Sequence, residues 1–384
     1  MTASARLVAT LVATLAAPLL ASGDTDAPYV EHWPGKRLLV QRGDTELVVR
    51  DLDQSATESG EAAQVRFPAP WPRRFGGCAV APTLDLVVFT GVHTLRAVDR
   101  TGAVRWEIRH RCWADTGREP HGTHGTGTHE SYDEYADSRD HRHASSGSAG
   151  FSADGTLVWA HVRGPLTEEH PERGAADPWA EEWLVIDAAQ GRVLARADAR
   201  ATTSGSVHVP HPDPSQMGLS IGEGQDGAPL RWGRWDGRTL SVSYFGDEAR
   251  MLMAVSPSGD RLLTVSHDQD ILAVHRVADG SVEAELSADV VPGHPEADAN
   301  DDEVEAFWDY EGGFIDESIG ITGTVEGDEE CGEGRHWLVE LPRMRLTDQV
   351  AYPNPVSGLP RALGNGTWYT VSETDNTLHI WSLQ

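Results

Sequence analysis

Apolar and polar positions along this chain alternate with a period of two far more often than they recur at helical spacing, which predicts strands. The clearest stretch is Met251–Leu286, MLMAVSPSGDRLLTVSHDQDILAVHRVADGSVEAEL. Apolar and β-branched runs at Met251–Ser256, Arg261–Ser266, Ile271–Val277 and Ser281–Leu286 are separated by Pro257–Asp260, His267–Asp270 and Ala278–Gly280. The Gly, Asp, Ser and Pro in those gaps supply turn geometry, so the segment reads as four antiparallel strands joined by hairpins. Four strands in about 36 residues is the unit that radial repetition builds into a β-propeller.

The same grammar recurs. Cys78–His110 repeats it with the turn Asp99–Gly102, and Ser148–Arg196 repeats it around an insertion, with the turn Asp187–Gly191. Leu38–Val40, Leu47–Leu52 and Gln64–Phe67 form another unit, and further units lie at Val207–Val242 and Gly312–Val350. The last, Ser357–Gln384, ends on its third strand, Thr377–Leu383. A ring left open there would expose unpaired edges, so Arg6–Leu11 is expected to supply the missing fourth strand and Pro18–Ser22 the first strand of the first blade. Three insertions are read at 111–146, 163–181 and 288–311. Setting them aside leaves about 44 residues for each of seven blades, against about 51 for six and about 38 for eight; blades of this kind take roughly 40–45. The expected fold is all-β: one seven-bladed β-propeller domain over residues 1–384, its last blade closed by an N-terminal strand.

The segments SETDNTLHIWSL (Ser372–Leu383) and SHDQDILAVHRVADG (Ser266–Gly280) resemble the third strand and following turn of WD40 repeats, while AVDRTGAVRWE (Ala97–Glu107) resembles the blade motif of quinoprotein-type propellers. The whole chain is similar to WD40-like propeller proteins of actinobacteria. Trp381-Ser382 stands where those repeats carry Trp-Asp, and most blades are expected to lack the third-strand Trp. The resemblance implies the propeller fold and a binding module, and fold alone assigns no chemistry.

Charge narrows the partners. Sixty acidic against 31 basic side chains give a net charge of −29, which opposes nucleic acid and anionic membranes and favours a basic protein partner. Lys36 is the only lysine, which removes Schiff-base and P-loop chemistry. Cys78, Cys112 and Cys331 form no CxxC pair, so they read as free thiols rather than a zinc site. The apolar run Leu7–Ala21 is too short for a membrane span and could be a secretory signal. Cleavage at 21–23 would remove the closing strand, so a cytoplasmic chain is expected, with secretion through residues 1–23 as the alternative.

Candidate chemistry is sparse. Gly218–Gly222 matches GxSxG, but a nucleophile elbow needs a strand, a sharp turn and a helix, and here the match lies within a β unit. His121, His124, His129, His141 and His143 cluster with carboxylates in one insertion and could ligate zinc, nickel or copper; a solvated loop is the competing reading. The acidic runs Glu296–Glu305 and Glu326–Glu333 lack calcium-loop spacing. Arg42-Gly43-Asp44 and Asn365-Gly366-Thr367 sit where hairpins need Gly, Asp and Asn. Arg231, Trp232, Arg234 and Trp235 combine the residue types of interface hot spots, against a competing reading as a packed strand.

With no nucleophile, base and oxyanion donors legible together, the sequence reads as a non-catalytic, monomeric scaffold or binding module, without a cofactor, for a protein partner. The alternative is a ligand-binding, hydrolytic or oxidoreductase propeller working at the channel mouth, metal-dependent through the histidine-rich loop.

Overall fold

The computed structural model describes residues 2–11, 27–53, 64–111, 113, 147–164, 166, 181–201, 205–222, 230–245, 249–293, 305–326, 334–372 and 376–383. Five four-stranded antiparallel sheets follow one another along the chain. Blade 1 is β2 (Tyr29–Trp33), β3 (Lys36–Arg42), β4 (Glu46–Asp51) and β5 (Gln64–Pro68). Blade 2 is β6 (Cys78–Val80), β7 (Leu86–Thr90), β8 (Thr94–Asp99) and β9 (Val104–Arg109). Blade 3 is β10 (Ala149–Phe151), β11 (Leu157–Arg163), β12 (Glu181–Asp187) and β13 (Val193–Asp198). Blade 4 is β14 (Gly205–Pro210), β15 (Gln216–Gly222), β16 (Leu230–Trp235) and β17 (Leu240–Phe245). Blade 5 is β18 (Arg250–Val255), β19 (Arg261–Ser266), β20 (Ile271–Arg276) and β21 (Val282–Ser287), close to the strand bounds expected from the sequence.

The sixth sheet holds eight strands and is two blades sharing one strand. Blade 6 is β22 (Ala306–Phe314), β23 (Ile319–Glu326), β24 (His336–Glu340) and β25 (Arg345–Ala351); blade 7 is β26 (Arg361–Gly364), β27 (Thr367–Val371) and β28 (Leu378–Leu383), completed by β1 (Thr2–Leu11). Ala5–Leu11 pairs antiparallel with Leu378–Leu383, as expected of a closing strand. Its first residues, Thr2–Ser4, also pair parallel with Gln349–Ala351 of blade 6, so β1 stitches two blades together. The fold is the seven-bladed propeller read from the sequence. One expectation is corrected: the first strand of blade 1 is Tyr29–Trp33, whereas Pro18–Ser22 lies outside the described residues.

Burial follows the ring. Apolar clusters join blades 1 to 3, 3 to 4, 4 to 5, 5 to 6, 6 to 7 and 7 back to 1, so every blade buries both sheet faces against its neighbours. The first strands of successive blades crowd the axis: a Cβ on Gly313 of β22 would lie 3.0 Å from the Cβ atoms of Ala254 and Ala362 on the blades either side. Four third strands carry a buried tryptophan, Trp183, Trp232, Trp337 and Trp381, more than expected. Each indole N–H finds an acceptor, as a buried tryptophan requires: Trp381 donates to Thr370 Oγ1 at 3.0 Å and Trp232 to Gln216 Oε1 at 3.0 Å.

Part of the acidic charge builds turns. Asp99, Asp154, Asp187, Asp213, Asp236, Asp279 and Asp316 each accept the backbone N–H two residues on, the Asx arrangement that favours aspartate in tight hairpins. The Asn365-Gly366 hairpin has positive φ at both residues, and Arg42 is buried with its guanidinium on the carbonyls of Trp71 and Gly77. Neither the RGD sequence nor the sequon needs a further role.

Candidate functional site

Antiparallel topology sorts the connections onto two faces of the ring. On one face the links are short, two to five residues, except for 52–63 between β4 and β5. All three sequence-predicted insertions fall on the other face, as connections 110–148, 164–180 and 288–305. Repeat proteins that place their insertions on one face commonly bind through it. Residues 294–305 contain six acidic and no basic side chains, and 326–333 five acidic and none basic. The five histidines His121, His124, His129, His141 and His143 belong to the 110–148 connection and lie outside the described residues.

Strand β22, the first of blade 6, carries acidic groups near its long-connection end. Its sequence WDYE was read as the end of an insertion, but the strand begins at Ala306. Trp308 pairs with Thr324 and Gly312 with Thr322, so Asp309, Tyr310 and Glu311 stand opposite Gly323 alone. Such a bulge breaks the ladder and re-aims side chains. The Trp308 N–H donates to the Gln269 carbonyl at 2.7 Å, and the Tyr310 hydroxyl to that of His267 at 2.7 Å, both in the β19–β20 turn of blade 5. Glu311 accepts from Arg361 at 2.9 Å.

Asp309 is the exception. It is 5% exposed and makes no hydrogen bond or ion pair with another described residue. Its carboxylate packs on Gly323, where a Cβ would fall 2.1 Å from an oxygen. Burial pushes its carboxyl up to about 6, and the Glu311 carboxylate adds to the rise. Glu31 on β2 of blade 1 is raised further, to about 8, by burial, against N–H donation from Val80 and the Tyr29 hydroxyl. A buried carboxylate without a cation is costly.

A second polar cluster lies on the seam of blades 3 and 4. Glu181 Oε2 on β12 is 3.0 Å from His161 Nε2 on β11. That contact falls off the ideal hydrogen-bond line. His161 Nδ1 is 3.0 Å from Ser206 Oγ on β14, which is 2.7 Å from Ser148 Oγ. Ser148 in turn lies 2.8 Å from His208 Nδ1, and Trp183 Nε1 donates to His208 Nε2 at 3.0 Å. The two hydroxyls are half-buried and the carboxylate and His161 fully buried.

Two of the four hot-spot candidates are buried in the blade. Arg231 and Trp232 are fully buried; Arg231 donates to the carbonyls of Ala199 and Arg200 and lies over Tyr244. Arg234 reaches the Val277 and Ala278 carbonyls of blade 5, and Trp235 packs half-buried against the blade 3–4 cluster. The WGRW spacing is that of a third strand whose alternate residues fill two inter-blade seams. In the GxSxG match, Ser220 is buried within β15 and its hydroxyl accepts the Leu252 N–H at 2.8 Å, so it packs rather than reacts. Among the described residues no group of three or more His, Cys, Asp and Glu is placed to hold a metal ion.

Buried imidazoles set an acid-side stability slope, three of them with large shifts. Burial holds His110 and His208 down to about 3 and His336 to about 4. The unfolded chain takes up protons near pH 6.5 and the folded one does not, so their contribution is full above pH 6.5 and is lost as pH falls towards 4. Each histidine contributes about 1.4 kcal/mol per pH unit. Glu31 and Asp309 work in the opposite sense, and are outnumbered by these three together with His32, His161 and His275, which burial also lowers. Urea unfolding at pH 6 and pH 4.5 is expected to show a net loss of stability, with a slope about 1.4 kcal/mol per pH unit shallower in His336→Gln.

No protein-family model matches the chain, and no curated protein sequence does. Solved structures do resemble it. The structure of U3-55K has a TM-score of 0.51 at 9% identity, over 93% of this chain and 95% of that one. Dihydro-heme d1 dehydrogenase NirN in complex with DHE has a TM-score of 0.50 at 15% identity, over 93% of this chain and 62% of that one. The Cps50 (Swd1) β-propeller domain of Myceliophteria thermophila has a TM-score of 0.36 at 11% identity, over 81% and 97%. At such identities the likeness is one of fold, and it defines a β-propeller.

Proposed function

We propose that this chain is a WD40-like binding module whose long-connection face receives a basic segment of a protein partner. The observation that carries the reading is Asp309, a buried side chain without a cationic partner among the described residues, held in a bulge near the long-connection end of β22. The acidic runs on the same face would attract such a segment from a distance and speed its encounter. A guanidinium suits the site best, because it forms paired, charge-assisted hydrogen bonds with a carboxylate. The module acts as a monomer and keeps residues 1–23, since β1 is part of two sheets. The intact mass of the protein from its native host checks retention.

Binding of a fluorescently labelled nona-arginine peptide to the full chain tests the site. Asp309→Asn is expected to weaken binding roughly tenfold or more, the worth of about 1.5–3 kcal/mol for a hydrogen bond to a charged group. Protonation competes with the cation, so affinity of the wild type also falls about tenfold per unit below pH 6, and Asp309→Asn loses that dependence. Equal affinity of the two proteins would mean that the peptide is held by diffuse surface charge and that Asp309 is not the site.

A further inference from the structure

The seam of blades 3 and 4 holds a hydrogen-bond chain whose direction can be deduced from both ends. The Trp183 indole can only donate, so His208 Nε2 accepts and the neutral ring carries its proton on Nδ1, which donates to Ser148. At the other end His161 Nε2 faces the Glu181 carboxylate and carries that ring's proton, so Nδ1 is a base. Ser206 donates to that base, and the Ser148 hydroxyl donates to Ser206. Burial keeps both imidazoles neutral, as this order requires. Every proton therefore points from Trp183 towards Glu181.

We propose that Ser206 is a nucleophile for acyl transfer, with His161 as its base, Glu181 orienting that base, and small carboxylic esters as the substrate class. Carboxylate, imidazole and hydroxyl at 3.0 Å spacings are the arrangement that activates a serine, recognised by geometry rather than chain order. Ser206 Oγ attacks the ester carbonyl carbon while its proton passes to His161 Nδ1. The carbonyl–alkoxy bond then breaks and the same proton leaves with the alcohol, giving acyl-Ser206. Water attacks the acyl carbon, gives its proton to His161, and the carboxylic acid leaves as that proton returns to Ser206 Oγ. The Ser148 hydroxyl, 2.7 Å from Ser206 Oγ, turns to donate to the oxyanion. GxSxG did not point here, because Ser206 lies on the first strand of a blade and its partners come from the neighbouring one.

A biotinylated fluorophosphonate, applied to the full chain at pH 8, tests this. The expected result is one adduct per chain, mapped by mass spectrometry to Ser206, and lost in Ser206→Ala. Ser148→Ala keeps the nucleophile and should label at least tenfold more slowly, a readout that serves even where Ser206→Ala does not fold. His161→Gln should also slow labelling at least tenfold and abolish its pH dependence, with folding checked by thermal unfolding. No adduct on the folded wild type, or an adduct that survives in folded Ser206→Ala, would overturn the proposal.

Discussion

Deleting residues 2–11 is expected to abolish the folded ring. β1 makes the fourth strand of blade 7 along Ala5–Leu11 and ties Thr2–Ser4 to blade 6. Among its described side chains Ala5 is 3% exposed, but Leu7 is 38% and Val8 55%. Its worth lies in what it covers. Without it the ladders of β25 and β28 end unpaired, and Trp381, Leu338 and Val350, which share a core cluster with Ala5, lose their lid. Losing a strand shared by two sheets is comparable to the whole stability of a domain, about 5–15 kcal/mol. Circular dichroism and size exclusion of the deletion should show an unfolded or aggregated chain. A synthetic peptide of residues 2–11 added during refolding should restore the native elution volume. A deletion that melts like the wild type would refute the closure.

Trp232→Ala should be the most damaging single substitution in blade 4, costing about 3–5 kcal/mol. The indole is fully buried, stacks on Phe245 at 6.4 Å, meets His211 edge-on at 5.5 Å and donates to Gln216. The next strand leaves it room by carrying Gly218, whose Cβ would lie 3.0 Å from the ring. A surface role predicts the opposite pattern, with normal stability and weakened partner binding. Chemical denaturation distinguishes the two, and an unchanged midpoint would contradict the packing described here.

The propeller was legible because its signal repeats. Turn residues and alternating runs recur in seven units, and the truncated final unit demanded a strand from elsewhere, which Arg6–Leu11 supplies. Where the signal was single it misled. Tyr29–Trp33 was overlooked as a first strand because His32, Pro34 and Gly35 break its apolar pattern. In WDYE the bulge interrupts the period of two at Asp309, so the first half of a blade's first strand looked like the end of a loop. For Arg231 and Trp232 the residue types left an interface and a packed strand both open, because composition says what a residue can do and only packing says what it touches; both are buried. The Glu181–His161–Ser206 array was invisible for a related reason: its members are 20 and 45 positions apart, and Ser206 meets the other two only across a blade seam. The histidine cluster of 118–143 has composition alone behind it, and its ligand chemistry stays a matter for metal analysis of the purified protein.

The central claim is that the long-connection face takes a basic protein segment at Asp309. The most direct measurement is purification of a C-terminally tagged chain from its native host after in-cell crosslinking, with the crosslinked peptides identified by mass spectrometry. The account predicts one reproducible partner, joined through an arginine-rich peptide to residues around Asp309, and lost from Asp309→Asn. A partner crosslinked only to the short-turn face, or one retained by Asp309→Asn, would contradict it.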